Sequence, residues 1–218
     1  MKILELFSGT HSIAKAFPDA EIISVDIDPH FDPTHNISIF DFDYKQYEHF
    51  DYIHASPPCR WYSQIQMTHY NRERVINGEK VMYNADINLK MCEIESDLFV
   101  KKALEIIHHF NPQFWTMENP KSNSKVGLHK RPFMSDYKYT EVHYCMYNYP
   151  VKKQTIIFNN FNLELKLCDK THTHKSFCNN KMRKKGQGIN FTLYERYRIP
   201  HDLCLEIKKQ IKNLFDTH

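Results

Sequence analysis

The 218-residue sequence predicts an α/β fold, a doubly wound sheet with mostly parallel strands. Two observations carry this. Short apolar strand patterns alternate with stretches at helical spacing. Several strands also run out into turns built from glycine, proline or an acid, rather than into tight hairpin loops.

In chain order, Lys2 to Leu6 alternates apolar and polar residues and reaches Phe7-Ser8-Gly9-Thr10-His11-Ser12. Ile13, Ala14, Ala16 and Phe17 follow at helical spacing, giving strand, glycine turn and helix, the opening unit of a nucleotide-binding α/β fold. Glu21 to Val25 is a second strand that ends in Asp26-Ile27-Asp28, where such folds hold ribose hydroxyls. Asn36 to Phe40 reads as a short third strand and Asp51 to Ala55 as a fourth. Gln64 to Lys90 is polar and without period, so it is expected to be an irregular lid. Glu93 to Phe110 is an amphipathic helix stopped by Asn111-Pro112, and Gln113 to Met117 a fifth strand ending in Glu118-Asn119-Pro120. Thr140 to Tyr147 and Gln154 to Phe158 form a strand pair, and Asp202 to Phe215 a closing helix.

Composition bounds the class. Hydrophobic content of 41% and aromatic content of 14% fit one folded domain with a small appendage. No apolar run is long enough to cross a bilayer. Glu5 interrupts the first apolar stretch, so a first strand is expected there rather than a signal peptide, and an intracellular, non-secreted protein with reduced thiols. Charge is uneven: acids exceed bases by eight through Pro120, and bases exceed acids by eleven after it. A basic second half fits a polyanionic partner.

Chemistry concentrates at Ser56-Pro57-Pro58-Cys59-Arg60. Neither proline can donate a ladder hydrogen bond, and each biases its predecessor away from helix, so Cys59 sits on a stiff turn at a strand end. Such a cysteine reads as a nucleophile or as a small buried hydrophobe. Arg60 beside it is a cation placed to lower the thiol pKa or to meet a phosphate. In an open α/β sheet ligands sit beyond the carboxyl ends of the strands. Phe7-Ser8-Gly9, Pro57-Pro58-Cys59 and Glu118-Asn119-Pro120 therefore share one crevice.

In that order and on those elements, the motifs resemble the C5-cytosine methyltransferases, from Lys2 to about Asn160. The resemblance implies a Rossmann-like, S-adenosylmethionine-dependent methyltransferase fold. It places Phe7, Ser8, Gly9, Thr10, His11, Asp26, Ile27, Ser38 and Pro58 around the cofactor. It makes Cys59 the nucleophile that attacks cytosine C6, Glu118 the acid on the pyrimidine edge, and Lys153 the cation facing the cytosine carbonyl. The implied activity is DNA cytosine C5 methylation on a flipped-out base. Arg60, Arg72, Arg74, Lys184 and Lys185 are the expected nucleic-acid contacts. Departures from the family pattern are His11 at a glycine position, Ser38 at an acid position, Arg60 after the cysteine, Pro120 in place of valine after Glu118-Asn119, Thr155 at an arginine position, and a C-terminal motif that is not clear in this sequence. The same motifs also fit an RNA substrate of the tRNA type, or a catalytically decayed nucleic-acid-binding protein.

Residues 1–160 form the expected catalytic core, 161–189 a small basic target-recognition or zinc module, and 190–218 a C-terminal segment packing back on the core. Within the module, Cys168, His172, His174 and Cys178 supply two thiols and two imidazoles, enough for a tetrahedral zinc site, although their spacing is not a common finger spacing. The oligomeric state is not legible in the sequence.

Overall fold

The computed structural model describes residues 1–177, 188–189 and 191–216. In chain order the strands and helices are β1 (Lys2–Leu6), β2 (Glu21–Asp26), β3 (His35–Asn36), β4 (Tyr52–Ala55), β5 (Arg72–Ile76), β6 (Glu79–Tyr83), α1 (Ala85–Met91) and α2 (Asp97–Phe110). They continue as β7 (Phe114–Pro120), β8 (Tyr139–His143), β9 (Gln154–Asn159), β10 (Ser176–Phe177), β11 (Gly188–Ile189), α3 (Leu193–Tyr197) and α4 (His201–Phe215).

Among the described residues the central sheet has seven strands in the order β3-β2-β1-β4-β7-β9-β8. β1 to β4 and β7 run parallel to their neighbours, whereas β9 lies antiparallel between β7 and β8. Both faces are covered, as parallel strands require. On one, Leu4, Leu6, Ile53 and Met117 meet Val100, Ala103, Leu104 and Ile107 of α2. On the other, Ile3, Tyr52 and Phe114 meet Leu203, Cys204, Ile207 and Ile211 of α4. The alternation of inward residues along each strand thus feeds two separate cores.

Four expectations are corrected. The helix after β1 is one 3₁₀ turn, Ala14–Ala16; the buried Glu5 carboxylate accepts the amides of Ile13 and Ala14, and Phe17 closes the turn onto Ala14. The third strand keeps only His35 and Asn36, because the Ser38 side chain and carbonyl accept the amides of Phe40 and Asp41 and turn the chain. The helix before β7 begins earlier, running from α1 through a π-helical turn at Cys92–Ser96 into α2. Asn84 caps its start.

The largest correction concerns Gln64 to Lys90, which is ordered throughout: a 3₁₀ segment Gln64–His69, the β5–β6 hairpin, then α1. Asn77 and Gly78 form its two-residue turn with φ of 51° and 85°, the left-handed values that Asn-Gly supplies at little steric cost.

Candidate active site

The carboxyl ends of β4 and β7 lie side by side, with Ala55 opposite Met117. β9 returns beside β7 so that Thr155 faces Pro120, and Lys153 sits just before that strand. Residues 59, 118 and 153 therefore meet at one edge of the sheet.

The turn bearing Cys59 is fixed from below. His54, buried in β4, bridges Thr116 Oγ1 through Nδ1 at 2.7 Å and Ser56 Oγ through Nε2 at 2.9 Å. Burial lowers its pKa to about 3, so the ring is neutral and serves as a fixed hydrogen-bonding strut. Asn119 Nδ2 donates to the Pro57 carbonyl at 3.1 Å, tying the end of β7 to the first proline. Beyond the cysteine, Trp61 and Tyr62 are buried. The Tyr62 hydroxyl donates to Asp97 Oδ1 at 2.7 Å, and Arg131 pairs with the same carboxylate at 2.7 Å. Both ends of the Pro-Pro-Cys turn are thereby anchored.

Glu118 is buried and accepts the Tyr144 hydroxyl at Oε1, 2.7 Å away. Lys153 Nζ approaches the same oxygen at 3.5 Å and lies 4.8 Å from the Tyr144 ring centroid. Burial pushes the Cys59 thiol above its ordinary range; the Lys153 ammonium draws it back, and Glu118 pushes it further up. Burial acts to lower Lys153, but Glu118 and then Cys59 outweigh it and hold the ammonium above the usual lysine range. The Cys59 thiol, the Glu118 carboxyl and the Lys153 ammonium thus each bear on the others' charge.

On the cofactor side, Phe7 and His11 adopt left-handed backbone, φ 55° each, around Gly9 at 45°. The residue at the family's second glycine position keeps the conformation glycine would supply, with His11 Nε2 held 2.5 Å from the Phe31 carbonyl. Asp26 accepts the Gly9 amide on one oxygen and the Asp28 amide on the other, which rivets the β1 turn to the end of β2. Ile27 next to it is 73% exposed. Two features fit an adenosyl group here: the exposed apolar Ile27 beside an acid, and the buried Ser8 hydroxyl, which has no protein partner. Phe40 adds a half-exposed ring packed at 5.2 Å on Phe99. Thr10 also lines a cavity of about 500 Å³ with Tyr149, Arg198 and His201, which does not reach Cys59. Pro58 is exposed and Ser38 half-buried.

Arg60 stacks on the Trp61 ring at 4.6 Å and reaches Glu95 at 3.8 Å. Among the charges bearing on the Cys59 thiol it is Lys153 that lowers the pKa, not Arg60. Arg74 donates to Gln66 at 2.9 Å and covers Tyr83 at 4.7 Å, so it braces the hairpin root; Arg72 is exposed. Cys178, Lys184 and Lys185 lie outside the described residues. Within them, the fourth member of the Cys/His group is Cys145. Sequence reasoning missed Tyr144, His54, Arg131 and Cys145. Each acts through a partner distant in the chain, so spacing carries no signal for it.

Strand order, the antiparallel β9 and the site at the parallel strand ends define a Rossmann-like α/β fold. The chain is similar over nearly its whole length to a Frog virus 3 (isolate Goorha) protein named probable DNA (cytosine-5)-methyltransferase. The two are 27% identical over 229 residues, which cover 95% of this chain and 98% of that one. Among solved structures, the Dnmt2 methyltransferase of S. pombe matches with a TM-score of 0.47 and 16% identity, covering 75% of this chain and 52% of its own. A methyltransferase of Entamoeba histolytica matches with a TM-score of 0.47 and 15% identity, covering 79% and 57%. The chain spans little more than half the length of these solved structures. No family model matches it. No helix among the described residues is long and apolar enough to cross a membrane.

Proposed function

We propose that the protein is a DNA cytosine C5-methyltransferase. The observation that carries this reading is the convergence of Cys59, Glu118 and Lys153 at one sheet edge, beside a turn fit for an adenosyl group. The viral relative's printed name agrees with it. S-adenosylmethionine, when bound, supplies an electrophilic methyl group. Gly9, Asp26 and Ile27 would hold it: Asp26 has lone pairs left for ribose hydroxyls, and Ile27 offers an apolar face to the adenine.

Cytosine C5 is a weak nucleophile. The Cys59 thiolate forms a bond to C6, and the ring's π electrons move towards N3 and the carbonyl. Glu118, oriented by Tyr144, holds a proton at N3 and faces the exocyclic amine; the Lys153 ammonium faces the carbonyl oxygen. C5, now enamine-like, takes the methyl group as the sulfonium–methyl bond breaks, its electron pair staying on the departing thioether. Loss of the C5 proton to a base then breaks the C6–S bond and returns the Cys59 thiolate. The target base must leave the stack to reach the buried acid. The ordered 64–91 segment, which directly follows the Cys59 turn in the chain, would be the cover over it.

The test is transfer of labelled methyl from S-adenosylmethionine to cytosine-containing DNA in competition with RNA. Label on DNA that disappears with Cys59→Ser supports the reading. Label on RNA alone moves the substrate to the tRNA type, and label on neither, with no cofactor binding, returns the chain to a decayed binding protein.

A further inference from the structure

Four ligand-type side chains outside the active site converge on one point. Cys145 Sγ, Cys168 Sγ and one ring nitrogen each of His172 and His174 all lie within 4.8 Å of one another. We infer that Cys145, Cys168, His172 and His174 bind a zinc ion. Two thiolates and two imidazoles on arms of about 2.0–2.3 Å are a closed tetrahedral zinc set.

Three further observations point to a ligand at this place. His172 Nε2 is buried and has no protein partner, whereas its Nδ1 lies 3.7 Å from Asp169 Oδ1. A buried ring nitrogen left bare needs a partner, which a metal ion would supply; the carboxylate, too distant for a hydrogen bond, adds only a nearby negative charge. His174 Nε2 stands 3.3 Å from Cys168 Sγ, and the Lys170 amide donates to that sulfur at 3.4 Å. An amide aimed at sulfur stabilises thiolate. Lys170, with φ 66°, makes the tight turn that brings His172 and His174 back over Cys168.

The site joins two parts of the chain. Cys145 lies in the 3₁₀ turn after β8, next to Tyr144 of the active site, and the other three lie in the irregular segment that leads to the basic residues. Beyond His174, the Lys175 amide donates to the Pro150 carbonyl at 2.9 Å, and Lys175 bridges Val151. Zinc here would fasten that segment beside Lys153 as a structural staple. The inference does not depend on methyl transfer.

The test is the zinc content of protein purified without chelator, by mass spectrometry, for wild type, Cys145→Ser, Cys178→Ser and His174→Ala. One zinc per chain, retained in Cys178→Ser and lost in Cys145→Ser, supports the assignment. His174→Ala, at an exposed position, should fold and lose zinc even where Cys145→Ser does not fold. Cobalt-substituted wild type should show thiolate charge-transfer absorption, and Cys178→Ser should keep it. Zinc lost in Cys178→Ser but retained in Cys145→Ser would overturn the assignment. So would zinc-free wild type, with or without a Cys145–Cys168 disulfide.

Discussion

Lys153 Nζ lies 3.5 Å from Glu118 Oε1, and both charges act on the Cys59 thiol in opposite senses. The acid and the cation proposed for the pyrimidine edge therefore also set the thiol's readiness to ionise. A cytosine presenting its edge to the pair would meet the cation at its carbonyl and the carboxyl at N3.

That opposition separates thiol reactivity from catalysis. Because burial raises the Cys59 pKa, alkylation by iodoacetamide should keep rising with pH beyond the range of an ordinary thiol. At fixed neutral pH, Lys153→Met should slow alkylation and Glu118→Gln should quicken it. Methyl transfer should fall in both variants, by about 10²–10⁴ for Glu118→Gln. Calorimetry should show that each still binds S-adenosylmethionine.

The Asp97–Arg131 pair is nearly sealed from water, with side chains 3% and 7% exposed. Removing one partner of such a pair costs about 3–5 kcal/mol, since the other charge stays buried. Arg131→Met should lower the unfolding free energy by that amount in urea titration. Because Tyr62 shares the carboxylate, methyl transfer should drop at temperatures where the variant is still folded.

Glu5 gives the fold a pH signature. Burial pushes its carboxyl up to about 7, against the amides of Ile13 and Ala14, from an ordinary value of 4.5. A folded pKa above the unfolded one means that its contribution is complete below about pH 4.5 and is lost as pH rises through about 7. His54 acts oppositely: its folded pKa of about 3 gives stability present above pH 6.5 and lost as pH falls. The difference in melting temperature between Glu5→Gln and wild type should therefore shift in the variant's favour from pH 5 to pH 7.5.

Much of the site was legible because its residues stand at ends of strands, where prolines and glycines punctuate a period-two pattern. Lys2–Leu6 and the turn at Cys59 fell where that pattern put them. The β5–β6 hairpin was hidden because charged residues such as Arg72, Glu73, Glu79 and Lys80 hide the apolar alternation, although Asn77-Gly78 marks its turn. Tyr144 and Arg131 find Glu118 and Asp97 only once the sheet forms, 26 and 34 residues away. Cys145 escaped notice for the same reason: local spacing singled out Cys178, which lies outside the described residues, and the turn after β8 brings Cys145 to Cys168 from 23 residues upstream.

In the proposed reaction Cys59 adds to C6 of a flipped cytosine. Duplex DNA carrying 5-fluorocytosine tests it directly, because the fluorine cannot leave as a proton does and the C6–S bond persists. With S-adenosylmethionine present, wild type should give a denaturation-resistant protein–DNA adduct, mapped to Cys59 by peptide mass and missing in Cys59→Ser. No adduct across DNA of varied sequence, or an adduct on another cysteine, would contradict the account.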